Sequence, residues 1–543
     1  MSGLNLSCRL SGLGSCESAP KAARAEAGGS SGDACGSSID PPNGKPSFGR
    51  REAEDHCGLF GIFGHPDAVD LTYLGIYAQQ HRGQESAGIC PAQDGRLLRH
   101  AALGLVTQAF SRRTLADLRA PAAIGHVRYS TTGSCHDVNC QPLLVQYAGG
   151  QVAVAHNGNL INAAELRTAY EARGAIFQTT SDTEVILHLL ASPEHAGAPD
   201  PLAGVLRELH GAYSLLFIFP DRIEAARDPH GLRPLCIGLV NGSHGDGTSP
   251  TGEQRYGKGT YVIASETCAL DMIDAEYVRD VAPGEIVTLS ADGLSSRMFV
   301  SSRMIQPAHC IFELIYFSNP SSDVFGQNVH SFRVETGRQL AREAPADADL
   351  AIPVPNCARC AAIGYSEVSR LPFGRGFTTS HYVGRSFILP DQRQRDLTVK
   401  MKLNVIRDAV RGKRLAVIED SVVRGTTTRG KMGALRKAGA KEIHLRAASP
   451  PIRHPCYFGI DFPNQQELIA CGRSVDEIRD YLEVDSLQYL SLEGLLRCAR
   501  QHADMYCTAC FSGKYPMPVA RPVEKLGLER FPLGAKQPVA NIE

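Results

Sequence analysis

The hydrophobic pattern divides the chain into a polar leader and two folded regions. Residues 1–56 are rich in Gly, Ser, Ala and Pro and carry few large apolar side chains, so they cannot bury a core. The first apolar strand begins abruptly at Cys57, in the sequence Cys-Gly-Leu-Phe-Gly-Ile-Phe-Gly. We therefore predict a disordered leader or propeptide over residues 1–56 and a domain boundary at Cys57.

The first folded region alternates apolar strands with helical stretches. Strands are predicted at Val152–Ala155 and Leu215–Ile218, with a helix around Asp182–Leu190 between them. This order favours mixed α and β layers. The polar stretch from Gly242 to Lys258 predicts a surface insertion.

The second folded region begins near Pro307 and follows a strand, loop, helix, strand pattern. Its clearest unit consists of a strand at Arg414–Ile418, a helix at Thr427–Ala438 and a strand at Glu442–Ala447. Gly439 is a plausible C-cap for the helix. Such a unit is typical of a βαβ crossover in a parallel sheet.

Length and charge narrow the class of protein. A chain of 543 residues exceeds what one core usually organises, so two large domains and a tail are expected. The 56 basic and 57 acidic residues nearly cancel to a net charge of -1, and no basic block indicates a nucleic-acid surface. No run reaches the roughly 18 apolar residues that cross a membrane. We therefore expect a cytoplasmic protein with neither a nucleic-acid nor a membrane partner.

The segment Leu415–Thr428 carries the pattern of a phosphate site. An apolar strand ends in two carboxylates, Glu419 and Asp420, and a turn of small residues then opens a helix. Backbone N–H groups of this turn and the helix N-terminus favour a phosphate monoester. The carboxylates are suited to ribose hydroxyls and to a hydrated Mg²⁺. A solvated acidic turn is the simpler interpretation of two adjacent acids alone.

This segment resembles the motif with which type I phosphoribosyltransferases bind phosphoribosyl pyrophosphate (PRPP). The resemblance implies that Glu419 and Asp420 contact substrate and magnesium, and that a turn binds the phosphate; that turn comprises Arg424, Gly425, Thr426 and Thr427. Two positions depart from the family pattern. Glu419 replaces an aspartate, and Cys357 replaces a serine at a position associated with the metal, although a thiol is a poor Mg²⁺ ligand.

A second segment, Tyr382–Arg395 continuing to Lys400–Asn404, resembles the loop that closes over PRPP in the same enzymes. Its cations Arg385, Lys400 and Lys402 would neutralise the leaving pyrophosphate. Closure would also exclude water from the reactive sugar.

Cys57 stands where a nucleophile would follow a removed leader. Cleavage between His56 and Cys57 would give Cys57 a free α-amine with a pKa of about 8, so one residue would supply both base and nucleophile. We therefore expect the mature protein to begin at Cys57. A lone cysteine before a glycine is otherwise often a small buried residue.

Four downstream segments resemble, in order, those of class II glutamine amidotransferases: His81–Gly88, Gly125–Thr131, Ala155–Asn159 and Thr180–Asp182. The resemblance implies that Arg128 pairs with the glutamine carboxylate and Asp182 with its ammonium group. It also implies an oxyanion hole formed by Asn157 and Gly158. We expect Arg82 to contact substrate as well.

From Cys57 to Pro516 the chain resembles the family of glutamine PRPP amidotransferases. Further matching segments are Arg227–Pro234, Ala264–Glu266 and Val281–Glu285. The resemblance implies an N-terminal nucleophile αββα glutaminase sandwich at residues 57–289 and a type I phosphoribosyltransferase parallel-sheet domain at 290–485. A C-terminal helical tail would occupy residues 486–543. The fold class is therefore a two-domain combination of α/β and α+β.

The same resemblance implies an enzyme that converts PRPP, glutamine and water into 5-phosphoribosylamine, glutamate and pyrophosphate, in the first committed step of purine biosynthesis. It implies purine nucleotide inhibitors and a homotetramer. The replacements Cys357 and Glu419 suggest an alternative, a regulatory paralogue that binds PRPP or nucleotide with weakened turnover. A plastid is the alternative compartment if the leader is a transit peptide.

Four of the 17 cysteines suggest a metal centre: Cys310, Cys456, Cys507 and Cys510. The Cys507-Thr-Ala-Cys510 pair alone also fits a redox site or a chance spacing, and a structural zinc site is the stronger competitor. Zinc ribbons, however, normally bring two close pairs. All four positions match the members of the family that carry a 4Fe–4S cluster, which implies that they are its ligands.

Overall fold

The computed structural model describes residues 57–129, 136–242, 247–248, 254–255, 259–379, 403–461, 465–519 and 528. The predicted leader at residues 1–56 lies outside these residues. The predicted loop cations Arg385, Lys400 and Lys402 lie outside them as well.

The first region is built mainly of strands. In chain order they are β1 Gly58–Phe63, β2 Ser86–Gln93, β3 Arg96–Leu97, β4 His100–Leu103, β5 Ala122–Arg128, β6 Leu143–Tyr147, β7 Gly150–Leu160, β8 Gly211–Ile218, β9 Arg222–Arg227, β10 Cys236–Gly242, β11 Gly247–Thr248, β12 Gln254–Arg255, β13 Gly259–Ala264, β14 Glu276–Asp280, β15 Glu285–Ser290 and β16 Gly293–Met298.

These strands form two antiparallel sheets that face each other. The first sheet has the order β14-β10-β13-β1-β5-β2-β3, with β4 also paired to β2, and the second has the order β11-β12-β16-β15-β9-β8-β7-β6. The core between them joins Leu59 and Ile124 of the first sheet to Ala155, Leu216 and Ile223 of the second. Strand β1 is central in its sheet, so its first residues lie deep in the molecule.

Helices cover both outer faces of the two sheets. The helix Ala68–Ala78 packs its buried Val69 and Ile76 against the outer face of the first sheet. The helices Glu184–Ala191 and Pro201–Glu208 cover the outer face of the second. The region is therefore an αββα sandwich, as the sequence predicts.

The second region contains a parallel sheet. Its strands are β17 His309–Cys310, β18 Asp323–Val324, β19 Gln327–Asn328, β20 Leu350–Pro353, β21 Phe377–Thr379, β22 Leu403–Val405, β23 Arg414–Glu419, β24 Glu442–Ala447, β25 Ser486–Tyr489 and β26 Tyr506–Cys507. The order β20-β23-β24-β25 is parallel throughout. Apolar clusters lie on both faces of this sheet, as expected where crossover helices cover it.

The helices are Ala68–Ala78, Val106–Ala109, Arg112–Asp117, Ala163–Ala172, Glu184–Ala191, Pro193–Ala196, Pro201–Glu208, Cys268–Asp271, Val329–Glu343, Arg359–Ser369, Arg407–Val410, Thr426–Lys437, Val475–Leu482, Leu492–Arg497 and Ala509–Ser512, with a π-helix at Glu313–Phe317. Within the described ranges, no helix is both long and apolar enough to cross a membrane.

The predicted elements correspond closely to the observed ones. The βαβ unit consists of β23, the helix Thr426–Lys437 and β24, and Gly439 follows the helix with a φ of +94°. The segment from Gly242 to Lys258 was expected to be an insertion, but it also contributes β11 and β12 to the edge of a sheet.

Two strands lie just beyond the predicted domain limits. Strand β16 pairs with β15 although it follows residue 289, and β25 completes the parallel sheet although it follows residue 485. Ladder hydrogen bonds tie each strand to its sheet. Segment boundaries are the least certain part of a sequence prediction for this reason, because a strand partner is not visible in local sequence.

Candidate active sites

Cys57 lies buried at the start of the central strand β1. Its thiol Sγ donates to the Tyr129 carbonyl at 3.5 Å, and its own carbonyl accepts from Arg82 Nε at 3.0 Å. Both contacts come from segments distant in sequence. The backbone and the thiol of Cys57 are therefore held separately, each by one hydrogen bond.

Burial raises the pKa of the Cys57 thiol to about 11, although the hydrogen bond to Tyr129 and the charge of Arg128 lower it in part. A thiol with this pKa is almost entirely protonated near neutral pH. The thiolate is the reactive form, so a nearby base must remove the proton. This requirement is consistent with an α-amine at Cys57 that acts after the leader is removed.

The charges of Arg128 and Asp182 both act on the Cys57 thiol. The Arg128 Nη1 atom lies 4.0 Å from Glu85 Oε2. The Asp182 Oδ2 atom accepts from the Leu160 N–H at 2.9 Å. A buried cation and a buried anion beside one thiol form a pair suited to the two charged ends of an amino acid.

Asn157 presents a buried amide in strand β7. Both its Nδ2 and Oδ1 atoms are buried and have no hydrogen-bond partner among the described residues. A buried unsatisfied amide costs roughly 1–3 kcal/mol, so its persistence calls for a ligand or a functional role. Gly158 follows with a φ of +147°, and a Cβ there would lie 2.0 Å from the Ala212 carbonyl oxygen. Only glycine fits this position.

A buried network of charged side chains supports Cys57 from behind. The Arg82 guanidinium donates to Glu313 through Nη1 at 3.0 Å and through Nη2 at 2.9 Å, and to Glu266 through Nη1 at 2.5 Å. Arg233 Nη1 approaches Glu313 Oε1 at 3.3 Å. All four side chains have no solvent exposure. The network joins the first region to Glu313, which begins the π-helix of the second.

Burial alone would raise the pKa of Glu266, but the charges of His81 and Arg82 outweigh it and lower that pKa. Ligand atoms of His81, Glu266 and Cys268 lie within 4.8 Å of one another, which is compatible with a metal ion. However, Glu266 also accepts from the Asn319 N–H at 2.8 Å and from Ser322 Oγ at 2.7 Å. Because the Glu266 oxygens already accept from these donors, we interpret His81, Glu266 and Cys268 as part of the charge network and not as a metal site.

The second region directly contacts the segment Asn157–Asn159. Asn159 Nδ2 donates to the Tyr457 carbonyl at 2.9 Å, and Arg233 donates to the Phe458 carbonyl through Nε at 3.1 Å and Nη2 at 2.5 Å. A Cβ on Gly459 would lie 2.9 Å from the Gly158 carbonyl group. The backbones of the two regions therefore meet at the residue next to Asn157.

The predicted phosphate loop lies at the carboxyl end of β23. Glu419 and Asp420 are buried, and Glu419 Oε2 lies 3.6 Å from Lys431 Nζ. Gly425 adopts a φ of +77° and directly precedes the helix Thr426–Lys437. Arg424 Nε lies 3.3 Å from Glu467 Oε2. The carboxylates and the helix N-terminus therefore face the same edge of the parallel sheet, where ligands bind in open α/β folds.

Cys357 lies in the turn before the helix Arg359–Ser369 and is partly exposed. It lines a small cavity together with Asp420. The structure therefore brings the predicted metal position and the predicted carboxylate to one site.

The four predicted cluster cysteines converge. Cys310 and Cys507 are opposite each other in the parallel pair β17 and β26, and Cys510 follows in the helix Ala509–Ser512. Burial raises the pKa of the Cys510 thiol, and the other three cysteines raise it further. Burial likewise raises the pKa of Cys456.

The spacing of these sulfur atoms distinguishes between metals. A tetrahedral zinc site with Zn–S bonds of about 2.3 Å holds its sulfurs roughly 3.8 Å apart. Among the residues that the structure describes, no three of the four sulfurs lie within 4.8 Å of one another. In this arrangement the four sulfur atoms are not spaced as the ligands of one zinc ion.

Sequence reasoning missed the charge network. Arg233 and Glu266 lie in segments that match the family, and Glu313 lies three residues after Cys310, but none of the three was assigned a role. Arg82 was expected to contact substrate, whereas its guanidinium is closed off from solvent and bound to Glu266, Glu313 and the Cys57 carbonyl. A buried glutamate within an apolar stretch, as in Ile311-Phe-Glu-Leu-Ile315, was the available indication, because such a residue usually requires a partner.

Comparisons with known proteins agree with this geometry. A family profile of the glutamine amidotransferase domain matches residues 126–245. The amidophosphoribosyltransferase of Synechocystis sp. is 44% identical over 501 residues, which cover 90% of this chain and 97% of that protein. The chloroplastic amidophosphoribosyltransferase 2 of Arabidopsis thaliana is 44% identical over 490 residues, or 90% of this chain and 84% of that protein.

A solved structure of glutamine PRPP amidotransferase from B. subtilis, in complex with ADP and GMP, matches with a TM-score of 0.77. It is 43% identical, and the match covers 85% of this chain and 98% of that chain.

The charge network generates a stability prediction. Glu313→Gln should lower the free energy of unfolding by about 3–5 kcal/mol, because it leaves the buried cations Arg82 and Arg233 with one carboxylate between them. Urea denaturation followed by circular dichroism measures the change in the first unfolding transition.

Glu367→Gln is the matched control, because Glu367 pairs with Arg338 at 2.8 Å on the exposed surface. We expect at most about 1 kcal/mol for this substitution. Equal effects of the two substitutions would show that the buried network does not stabilise the fold.

Proposed function

The chain belongs to the amidophosphoribosyltransferase family, and from that premise we propose how its two regions divide the reaction. It is a glutamine amidotransferase that makes 5-phosphoribosylamine, glutamate and pyrophosphate from PRPP, glutamine and water, in the first step of purine biosynthesis. The observations that support the division of labour are the buried Cys57 thiol, on which the charges of Arg128 and Asp182 act, and the buried Asn157 amide without a hydrogen-bond partner among the described residues. None of the comparisons supports the alternative of a regulatory paralogue.

In the first region, Cys57 attacks the side-chain amide of glutamine. Arg128 binds the α-carboxylate of glutamine and Asp182 binds its α-ammonium group, so the amide carbon is oriented towards Sγ. The Asn157 amide and the Gly158 N–H receive the negative charge that develops on the carbonyl oxygen. The buried, unpartnered Asn157 amide supports this role.

The α-amine of Cys57 takes the thiol proton and delivers it to the departing ammonia. The raised pKa of the buried thiol supports the need for such a base. Water then hydrolyses the thioester and releases glutamate. Processing before Cys57 is part of this proposal, because an amide nitrogen in an intact chain is not a base.

Arg82 positions Cys57 and does not touch glutamine. Its Nε holds the Cys57 carbonyl, while its other nitrogens are held by Glu266 and Glu313. A fixed carbonyl sets the direction of the Cys57 side chain relative to Asn157. We therefore replace the predicted substrate contact of Arg82 with a positioning role.

In the second region, the turn Arg424–Thr427 binds the 5-phosphate of PRPP through backbone N–H groups at the start of a helix of 12 residues. Glu419 and Asp420 bind the ribose hydroxyls. Arg385, Lys400 and Lys402, which lie outside the described residues, bind the pyrophosphate.

Magnesium, when bound beside Asp420, neutralises part of the pyrophosphate charge. The buried carboxylate fits this ion, whereas the Cys357 thiol does not.

Ammonia passes between the regions without entering bulk water. The contacts of Asn159 with Tyr457 and of Arg233 with Phe458 support this transfer, because they seal the second region against the oxyanion segment. Free ammonia would otherwise become ammonium, which is not a nucleophile.

Cys310, Cys456, Cys507 and Cys510 hold a 4Fe–4S cluster with a structural role. Their convergence supports it. The cluster attaches residues 486–519 of the tail to the phosphoribosyltransferase region.

Regulation, assembly and boundaries complete the proposal. Purine nucleotides inhibit the enzyme, in keeping with the ADP and GMP bound to the B. subtilis enzyme. The assembly is a homotetramer and the compartment is the cytoplasm, or a plastid as for the Arabidopsis relative. The glutaminase domain covers residues 57–289 with β16 added, and the phosphoribosyltransferase domain covers 290–485 with β25 added.

The proposal predicts separable activities. Cys57→Ala should abolish the glutamine-dependent formation of pyrophosphate and retain the ammonia-dependent reaction, because only the first region uses the thiol. Pyrophosphate release is measured with glutamine or with ammonium chloride as the nitrogen source. Cys90→Ala, another buried cysteine of the same sheet, is the control that should retain both activities. Loss of both activities in a folded Cys57→Ala protein would contradict two separate sites.

The cysteine site predicts iron. Protein purified without oxygen should be brown, contain about four irons and four sulfides per chain, and lose its visible absorption in Cys456→Ser. Metal analysis and absorption spectra measure both quantities. Cys471→Ser, which changes a cysteine outside the four, should keep the full iron content. Stoichiometric zinc in colourless protein would overturn the assignment.

A further inference from the structure

A pair of cysteines lies at the edge of the proposed phosphoribosyl site. Cys357 and Cys360 are separated by two residues, in the sequence Cys-Ala-Arg-Cys at the start of the helix Arg359–Ser369. Neither belongs to the four cysteines assigned to the cluster. The inference drawn from this pair rests on the proposed PRPP site.

The geometry of the pair suits a reversible bond. The Arg359 N–H approaches the Asn356 carbonyl at 3.4 Å, so the chain already turns before the helix begins. Side chains three residues apart on a helical turn lie on one side, with Cβ atoms about 5–6 Å apart. A disulfide requires a Cβ separation of roughly 3.5–4.5 Å, so the turn that carries Cys357 must close more tightly than a helical turn does.

The two cysteines differ in exposure. Cys357 is partly exposed and lines the small cavity that also contains Asp420. Cys360 is buried, and its Sγ lies 3.3 Å from Nδ1 of the exposed His330. An accessible first cysteine at a helix N-terminus, followed by a buried second one, is the arrangement of redox-active Cys-x-x-Cys pairs.

We propose that Cys357 and Cys360 form a reversible disulfide that reduces phosphoribosyl transfer. The oxidant is a low-molecular-weight disulfide. The Cys357 thiolate attacks one of its sulfurs, the oxidant's S–S bond breaks, and the first thiol leaves with the proton from Cys357.

The Cys360 thiolate then attacks Sγ of Cys357 and releases the second thiol. His330 takes the proton of Cys360 and passes it to that leaving group. The protein has lost two hydrogens and the oxidant has gained them.

The disulfide changes the site because Cys357 and Asp420 line the same cavity. Closing the bond draws Cys357 towards the helix and away from its place beside the carboxylate. A displacement of about 1 Å near the reacting groups costs up to roughly 100-fold in rate, so we expect about a tenfold loss or more.

The test uses the full chain, kept free of oxygen so that cluster damage does not mimic the effect. Oxidised glutathione is the probe. The rate of pyrophosphate formation from PRPP and ammonia is the activity readout, because it does not depend on Cys57. Absorption by the cluster is recorded in parallel and should not change.

Mass spectrometry supplies an independent readout. Trypsin cleaves after Arg359 and so separates the two cysteines in the reduced protein. In the oxidised protein the same cleavage should give two peptides joined by a disulfide. In Cys360→Ser the joined peptides should be absent, and glutathione should remain attached to Cys357, because the second thiol is missing.

We expect oxidation to lower the ammonia-dependent rate of the wild type about tenfold, and dithiothreitol to restore it. Cys498→Ser, which removes a half-buried cysteine elsewhere, should respond like wild type. In Cys357→Ser the oxidised rate should equal its own reduced rate.

Two results would overturn the proposal. One is the absence of joined peptides after oxidation, and the other is an equal loss of rate in Cys357→Ser and wild type. A reduced wild type without any PRPP turnover would instead contradict the proposed function.

Discussion

The buried ion pairs between Arg82, Glu313 and Arg233 are the constraint on which the rest of the molecule depends. Burying a charge without a partner costs several kcal/mol. The first region therefore needs Glu313 as a partner for Arg82 and Arg233, and the second region needs these arginines as partners for Glu313. Because Arg82 also holds the Cys57 carbonyl, the same contacts that join the regions fix the position of the nucleophile. The two regions are coupled by electrostatics at the point where the chemistry begins.

A second constraint operates on the backbone. Gly158 and Gly459 approach each other so closely that a side chain on Gly459 would meet the Gly158 carbonyl. Asn157 directly precedes Gly158. On the other side of the contact, Phe458 directly precedes Gly459, and the Phe458 carbonyl accepts from Arg233. Two residues before Phe458 lies Cys456, a proposed cluster ligand. The segment around Asn157 therefore contacts the part of the chain that contains Cys456.

Helices and strands could be predicted from the sequence more closely than contacts between residues far apart in the chain. The βαβ unit ending at Ala447 and the strand after Cys57 were predictable, since alternating apolar residues and glycine caps act over short distances. The residues around Cys57 were found through their resemblance to a family.

The charge network was not predictable from the sequence, because Arg82 and Glu313 are separated by 231 positions and nothing local indicates that they pair. For Arg82 the sequence suggested a contact with substrate, and the structure shows its guanidinium bound to Glu266 and Glu313. Likewise, strands β16 and β25 lie just outside the predicted domain limits. Only their pairing with β15 and β24 assigns them to the two sheets.

The central claim is that one chain couples glutamine hydrolysis to transfer of ammonia onto PRPP. The most direct measurement follows glutamate and pyrophosphate together in processed protein, with and without PRPP. The account predicts equal amounts of the two products when both substrates are present, and very little glutamate without PRPP. Glutamate released at the same rate in the absence of PRPP, with no matching pyrophosphate in its presence, would contradict it.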